Sequence, residues 1–222
     1  AKGKNMRIVA PFFLSNLDLI VKKNASYQTL DDLKGRRIAT RPKITAGYKA
    51  LATAVSVAGF NLEKDFKLVF ASIPDSIKFL TTGEADATNL TQALAVPLLA
   101  SGNFRTISGL DSEWRKISGY PMPFVGWVAH KDWLDSNQNK ALRFRQVILE
   151  TANFIRQNPS IMRQYPDILK FKSDAEWKLA LEVIPSNYAT AWNPSADKFL
   201  VQKALEFGFI KEPPKEEYIF AP

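Results

Sequence analysis

Leu30-Asp-Asp-Leu-Lys-Gly-Arg-Arg-Ile-Ala39 packs a helical turn, its terminator and the start of a strand into one short stretch. Thr29, just ahead of it, can cap the turn, Asp31 and Asp32 favour the turn's positive end, and Gly35 can close it. Arg37-Ile-Ala-Thr40 then reads as a strand. Working outward, residues 45–58 have a helical pattern that ends at Gly59, and Lys67-Leu-Val-Phe-Ala71 is a second strand. A helix opens at Asp75 or Ser76, runs through Thr82 and stops at Gly83. Residues 85–89 form a short strand, 91–100 a helix, and Arg105-Thr-Ile-Ser108 a further strand. Upstream, Leu17-Asp-Leu-Ile-Val-Lys22 is strand-like. Residues 17–108 thus alternate strands with helices, the pattern of a mainly parallel, right-handed α/β sheet flanked by helices.

The flanks differ. Met6-Arg-Ile-Val-Ala10 reads as a strand and Pro11-Phe-Phe-Leu-Ser-Asn16 as a loop after it. Tyr120-Pro-Met-Pro123 is a stiff connector to the strand Phe124-Val-Gly-Trp-Val-Ala129. Helices follow over 140–158, 173–184 and 195–207, the second opened by the capping box Ser173/Glu176 and the last closed by Gly208. Trp133, Trp177 and Phe154 are expected to be core. The tail from Pro213 to Tyr218 reads as extended.

Composition excludes several chemistries. With no Cys, the 222-residue chain has no disulfide scaffold, thiolate metal site or cysteine nucleophile. A single histidine, His130, excludes a multi-histidine metal site. G-x-S-x-G, G-x-G-x-x-G and Walker A motifs are missing, so a catalytic triad, a dinucleotide fingerprint and a phosphate loop are not expected. The pairs Asp31-Asp32 and Glu216-Glu217 do not have the setting of a buried acid/base couple. The net charge of +8 comes from scattered basic residues, so no nucleic-acid partner is expected. No run approaches the ~20 apolar residues of a membrane span, and the first residues carry no signal-peptide core. Either a cytosolic location or a removed leader fits.

Three places could hold a ligand. In Arg41-Pro-Lys-Ile-Thr-Ala-Gly-Tyr48, the small residues Thr45, Ala46 and Gly47 stand between a strand and a helix and leave the first helical N–H groups open to an anion; an ordinary capped helix is the alternative. Asn89 and Gln92 can donate to oxyanions, or simply cap the next helix together with Thr91. Phe13, Ser15 and Asn16 on one crossover, and Phe124, Gly126 and Trp127 on the other, could line a hinge: Gly126 by letting a ligand approach the backbone, Trp127 by stacking. No metal or cofactor is expected.

The stretch from Leu30 to Ala39 resembles the "L-x-D-L-K-G-K-R-I/V" motif of type II periplasmic substrate-binding proteins. Asp75-Ser-Ile-Lys-Phe-Leu-Thr-Thr-Gly-Glu-Ala-Asp-Ala87 is similar to that family's "A-L-x-x-G-x-x-D-A" run. Phe124-Val-Gly-Trp-Val-Ala-His-Lys-Asp-Trp133 resembles its return crossover, and Leu205-Glu-Phe-Gly-Phe-Ile-Lys211 its C-terminal motif. The order points to the sulfonate/nitrate/taurine branch, which also holds thiamine-pyrimidine-precursor binding proteins and enzymes. The resemblance implies a two-lobed α/β fold, with residues 15–124 as one complete lobe and 1–14 plus 125–222 as part of the other. About the first third of the family fold has no counterpart here. It further implies a monomeric, extracytoplasmic binding protein that is not an enzyme. Such a protein closes on a small organic anion such as a sulfonate, taurine or nitrate and delivers it to an ABC-transporter permease. By the same resemblance the loop containing Lys43, Thr45, Ala46, Gly47 and Tyr48 holds the ligand's sulfonate or carboxylate. The alternatives are a pyrimidine-precursor binding protein or synthase, or the effector domain of a transcription regulator.

Overall fold

The computed structural model describes residues 5–15, 19–107, 110–214 and 218–220. In chain order the elements are β1 Met6–Leu14, β2 Leu19–Lys22, a 3-10 turn Asp31–Leu33, β3 Arg37–Thr40, α1 Ala46–Val57, β4 Lys67–Phe70, α2 Ile73–Thr82, β5 Ala87–Asn89, α3 Gln92–Ala100, β6 Phe104–Ile107, α4 Leu110–Ser118 and β7 Pro123–His130. The remainder is helical: α5 Lys131–Ser136, α6 Gln138–Gln157, α7 Pro166–Leu169, α8 Asp174–Val183 and α9 Pro194–Glu206. No helix among the described residues is long and apolar enough to cross a membrane.

Local chemistry sets many boundaries. Thr29 N–H and Gln28 N–H donate to Asp32 Oδ2 at 2.9 and 2.8 Å, clamping the turn before β3. Thr45 Oγ1 accepts Tyr48 N–H at 3.2 Å, and Ser72 Oγ accepts Asp75 N–H at 3.2 Å, starting α1 and α2. Gly83 closes α2 at φ 86°, in the left-handed region that only glycine enters cheaply. Ser173 caps α8, but Glu176 reaches back to Lys172 N–H at 2.6 Å, one residue before the position a capping box prescribes.

The central sheet has the order β4-β3-β5-β2-β6. β3 runs parallel to β4 and β5, whereas β2 is antiparallel to both of its neighbours. The expectation of a mainly parallel sheet therefore holds with one strand reversed. Arg37 pins the register: its N–H and Nε donate to Asp86 Oδ2 at 2.9 and 3.1 Å, and its Nη2 donates to Gly83 O at 2.9 Å. Burial would raise the Asp86 carboxyl, but the Arg37 side-chain and backbone bonds outweigh it and hold the group below its ordinary value. One face of the sheet packs on α1, whose Leu51 and Val55 are fully buried with Ile38, Val21 and Leu33. Helix α4, which periodicity did not announce, wedges Trp114 into this core edge-on to Phe199 of α9 at 5.3 Å. Helix α3 is apolar on every side. Its Ala95 packs on Ile20, Leu80 and Leu90, while Val96 packs on Trp177, Ala180 and Ile184 around α8. It therefore ties the central sheet to the C-terminal helices.

Two expectations are corrected. Residues 11–14 are not a loop, because β1 continues to Leu14, with Pro11 opposite Gly126 of antiparallel β7 and register shifts on either side. Bulged two-stranded ribbons tolerate a residue without an N–H. Helix α5, in a stretch the sequence pattern left unassigned, follows β7 directly. Trp133 and Phe154 are not core: they are 46% and 52% exposed, since no described element covers that side of α5 and α6. Trp177 is buried, as expected, edge-on to Phe171 at 5.3 Å. Ser108 and Glu216-Glu217 lie outside the described residues.

Trp114→Ala should lose about 3–5 kcal/mol in urea denaturation, the usual cost of an aromatic cavity. Because the Asp86 carboxyl titrates below its ordinary value near 3.8, its contribution to stability is complete above that value and fades as pH falls through the lower folded one. Asp86→Asn should therefore flatten the loss of stability below about pH 4, read by denaturant midpoints across pH.

Candidate functional site

At one edge of the sheet β3, β4 and β5 each hand the chain to a helix, so the N-termini of α1, α2 and α3 converge. They wall one side of a cleft of about 410 Å³, through Thr45 and Gly47 of α1, Ile73 of α2, and Thr91, Gln92 and Ala93 of α3. The other side is built from Phe13, Leu14 and Ser15 at the end of β1, Phe124 of β7, and Ile184 and Asn187 of the corner after α8. That volume suits a small organic molecule.

The polar inventory of the cleft is cationic and donor-rich. The first N–H groups of a helix have no intrahelical acceptor. In α1 Thr45 satisfies Tyr48 N–H, which leaves the amides of Ala46 and Gly47 for an outside acceptor. In α3 Thr91 makes no side-chain cap, so the amides of Gln92 and Ala93 are in the same position. Gly47 matters by its size: a Cβ built there would meet only Arg41 Cγ, at 3.7 Å, so a ligand can approach closely. Asn89 Oδ1 and Gln92 Oε1 are buried without a hydrogen-bond partner among the described residues. Each amide can turn over and present its NH2 to an oxyanion.

Arg41 supplies the charge. Its Nη1 donates to Ala71 O at 2.9 Å and to Ser76 Oγ at 3.0 Å, and burial lowers its pKa. No carboxylate pairs with it among the described residues. No acidic side chain lines the cleft among those residues. A partly buried guanidinium without a paired carboxylate among the described residues, lining the same cleft as the starts of three helices, favours an anion.

Of the residues singled out in the sequence, Phe13, Ser15, Thr45, Gly47, Asn89, Gln92 and Phe124 meet in this cleft. Ala46 sits in the first turn of α1 beside it. Lys43 and Tyr48 turn away to Glu63: the ammonium pairs with Oε2 at 2.5 Å and the phenol donates to Oε1 at 2.6 Å. These bonds hold the Glu63 carboxyl below its ordinary value, and burial, then Glu63, pushes the Tyr48 hydroxyl up. Gly126 packs against β1, where a Cβ would stand 3.1 Å from Ala10 O. Trp127 lies outside the cleft, against Phe12 and Phe144 at 5.4 and 5.6 Å. Asn16 lies outside the described residues. His130 precedes α5 and makes no side-chain cap. Sequence reading placed Arg41 at the head of the candidate loop but gave it no ligand role, although its place directly after a strand was a usable signal. Nothing local marked Ile184 and Asn187, which reach the cleft through the α3–α8 contact.

Residues 16–171 match the family described as ABC transporter, phosphonate, periplasmic substrate-binding protein. No curated protein matches the chain at the level of sequence. Among solved structures, the fold is similar to the periplasmic aliphatic sulphonate binding protein SsuA of Escherichia coli, at 18% identity and TM-score 0.67, over 98% of this chain and 72% of that one. It is also similar to the alkanesulfonate-binding protein SsuA of Xanthomonas axonopodis pv. citri bound to MOPS, at 13% identity and TM-score 0.68, over 98% and 73% of the two chains. The desulfurization enzyme DSZB shares the fold at 15% identity and TM-score 0.63, over 98% and 77%.

The two glycines should respond oppositely to a methyl group. Gly47→Ala should leave the melting temperature unchanged. Gly126→Ala should destabilise by about 1–3 kcal/mol, because the new carbon meets backbone that cannot yield.

Proposed function

Because the chain belongs to the family of periplasmic substrate-binding proteins of phosphonate-type ABC transporters, we propose that its cleft captures a small organic monoanion with an apolar body, of the alkanesulfonate kind. The observation that carries this reading is Arg41, a partly buried cation without a paired carboxylate among the described residues, in the same cleft as the open amides of α1 and α3. An anionic head placed there would gain charge-assisted hydrogen bonds from fixed donors. The rest of the lining sets the tail. Phe13, Leu14, Ile73, Leu94, Phe124 and Ile184 offer an apolar body a surface that nitrate cannot use. Taurine's ammonium would find no acidic side chain among the described lining residues. The SsuA structures, whose descriptions name sulfonate ligands, support the same ligand class.

The mechanism is capture without bond making. Residues 15–124 act as one lobe, and 1–14 with 125–222 belong to the other. The anion would contact the helix N-termini and Phe124 of the first lobe and Phe13, Ile184 and Asn187 of the second. A ligand held from both sides binds the closed form more tightly than the open one, and that difference shifts the population toward closure. The closed monomer would then dock on a membrane permease from the extracytoplasmic side, as other members of the family do.

Isothermal titration with pentanesulfonate, taurine and nitrate tests the proposal. Pentanesulfonate should bind tightest, and at ~100 times its Kd it should stabilise the chain by about 2.7 kcal/mol. Gly47→Glu, which sets a carboxylate at the head of α1, should abolish binding while keeping the melting temperature. A folded Gly47→Glu protein that binds pentanesulfonate as well as the parent overturns the site.

A further inference from the structure

The β1–β7 ribbon also lines a second cavity, of about 250 Å³, together with the start of α9. Phe13, Leu14 and Phe124 are common to this cavity and the cleft, but the chemistry of the two differs. The cleft has a cation, Arg41, and no acidic side chain among the described residues. The second cavity has an acid, Asp197, and no basic side chain among those residues. Tyr120, Phe124 and Trp192 give it aromatic walls, and Ile8, Val128 and Leu200 add apolar surface. An acid in the first turn of a helix commonly faces water, where it complements the helix dipole. Asp197 stands in the first turn of α9 but is partly buried, and its Oδ2 accepts Trp192 Nε1–H at 3.0 Å. It forms no ion pair among the described residues. Arg145 stacks on Trp192, its guanidinium carbon 3.8 Å from the ring centroid, but it donates to the carbonyls of Val9 at 2.7 Å and Phe220 at 2.5 Å instead of to the carboxylate. Burial raises the Asp197 carboxyl, and the indole bond opposes that only in part.

We propose that this cavity is a second ligand site, for a small organic ammonium ion with an apolar body, held by Asp197 as counter-ion and by the rings of Tyr120, Phe124 and Trp192. A carboxylate and aromatic rings around one volume are the chemistry that recognises such a cation. The ammonium donates charge-assisted hydrogen bonds to the carboxylate, and the ring faces attract the positive charge. The apolar body covers the aliphatic lining. An anion in the same place would meet Asp197 as a like charge, and a neutral molecule of the same shape would gain the apolar contacts alone. A divalent metal does not fit, because it needs several oxygen or nitrogen ligands and no group of three acidic or histidine side chains stands together among the described residues. The proposal does not depend on what the cleft binds, since Tyr120, Trp192 and Asp197 are not part of the cleft's lining.

Titration with cyclohexylammonium chloride at neutral pH, followed in proton–nitrogen correlation spectra of the indole N–H groups, tests it. Trp192→Phe identifies the Trp192 signal by its loss. In the parent protein that signal should shift saturably, because its acceptor Asp197 gains a second partner. Cyclohexanol, which has the same ring without the charge, should bind at least about tenfold more weakly. Asp197→Asn keeps an acceptor for the indole and removes the charge, so it should weaken cyclohexylammonium binding at least about tenfold while leaving the circular dichroism unchanged. Three results overturn the proposal: a Trp192 signal that does not move, cyclohexanol bound as tightly as cyclohexylammonium, or a folded Asp197→Asn protein that binds cyclohexylammonium as well as the parent. The first two are read on the parent protein and do not require the variant to fold.

Discussion

The register of β3 between β4 and β5 is the constraint on which the cleft depends. Arg37 fixes it at the start of the strands through Asp86 and Gly83, and Thr88 Oγ1 fixes it at the end by donating to Ala39 O at 2.9 Å in the buried sheet. With Ala39 level with both Val69 and Thr88, the three strands end together. The helices that follow then start together, and their unpaired amides face one volume. A slip of one residue would turn Ile38 out of the core and aim α1 elsewhere. Crevices at the carboxyl ends of parallel strands arise from this geometry in α/β sheets generally.

The cleft's second wall depends on a different interaction. Helix α3 carries Gln92 to the ligand side at its start and buries Val96 against Trp177, Ala180 and Ile184 a turn later. Ile184 is thus both a seam residue and a lining residue. Movement of α8 relative to α3 would therefore alter the lining of the cleft. Arg41 completes the electrostatics. It is held by neutral acceptors, a carbonyl and a hydroxyl, so its charge remains available to a ligand.

Much of this was legible along the chain because it is local. The caps at Thr45, Ser72 and Ser173 and the terminator at Gly83 act within a few residues of themselves, so sequence spacing announces them. The loop before α1 was readable as a capped helix start and a candidate anion site because small residues stand there between a strand and a helix. Reading failed where the deciding contact was distant. Lys43 stood among the candidate ligand residues, but Glu63 lies close enough in space to neutralise it. Gly126 looked like room for a ligand, yet its open side is filled by Ala10 O. Pro11 looked like the end of a strand, and only its pairing with Gly126 shows that the ribbon continues past it.

The sequence by itself determined the α/β class, the positions of most strands and helices, the exclusion of cysteine and multi-histidine chemistry, and the small-residue helix start after β3. Each of these rests on residue type and short-range periodicity, which the unfolded chain already contains. Tertiary structure alone decided that β2 runs against its neighbours, that Arg41 rather than Lys43 faces the cleft, and that Ile184 and Asn187 close it. It also decided that Trp133 and Phe154, apolar by pattern, stand exposed. These outcomes depend on which surfaces meet across long stretches of chain, and periodicity records only that a face is apolar, never what covers it.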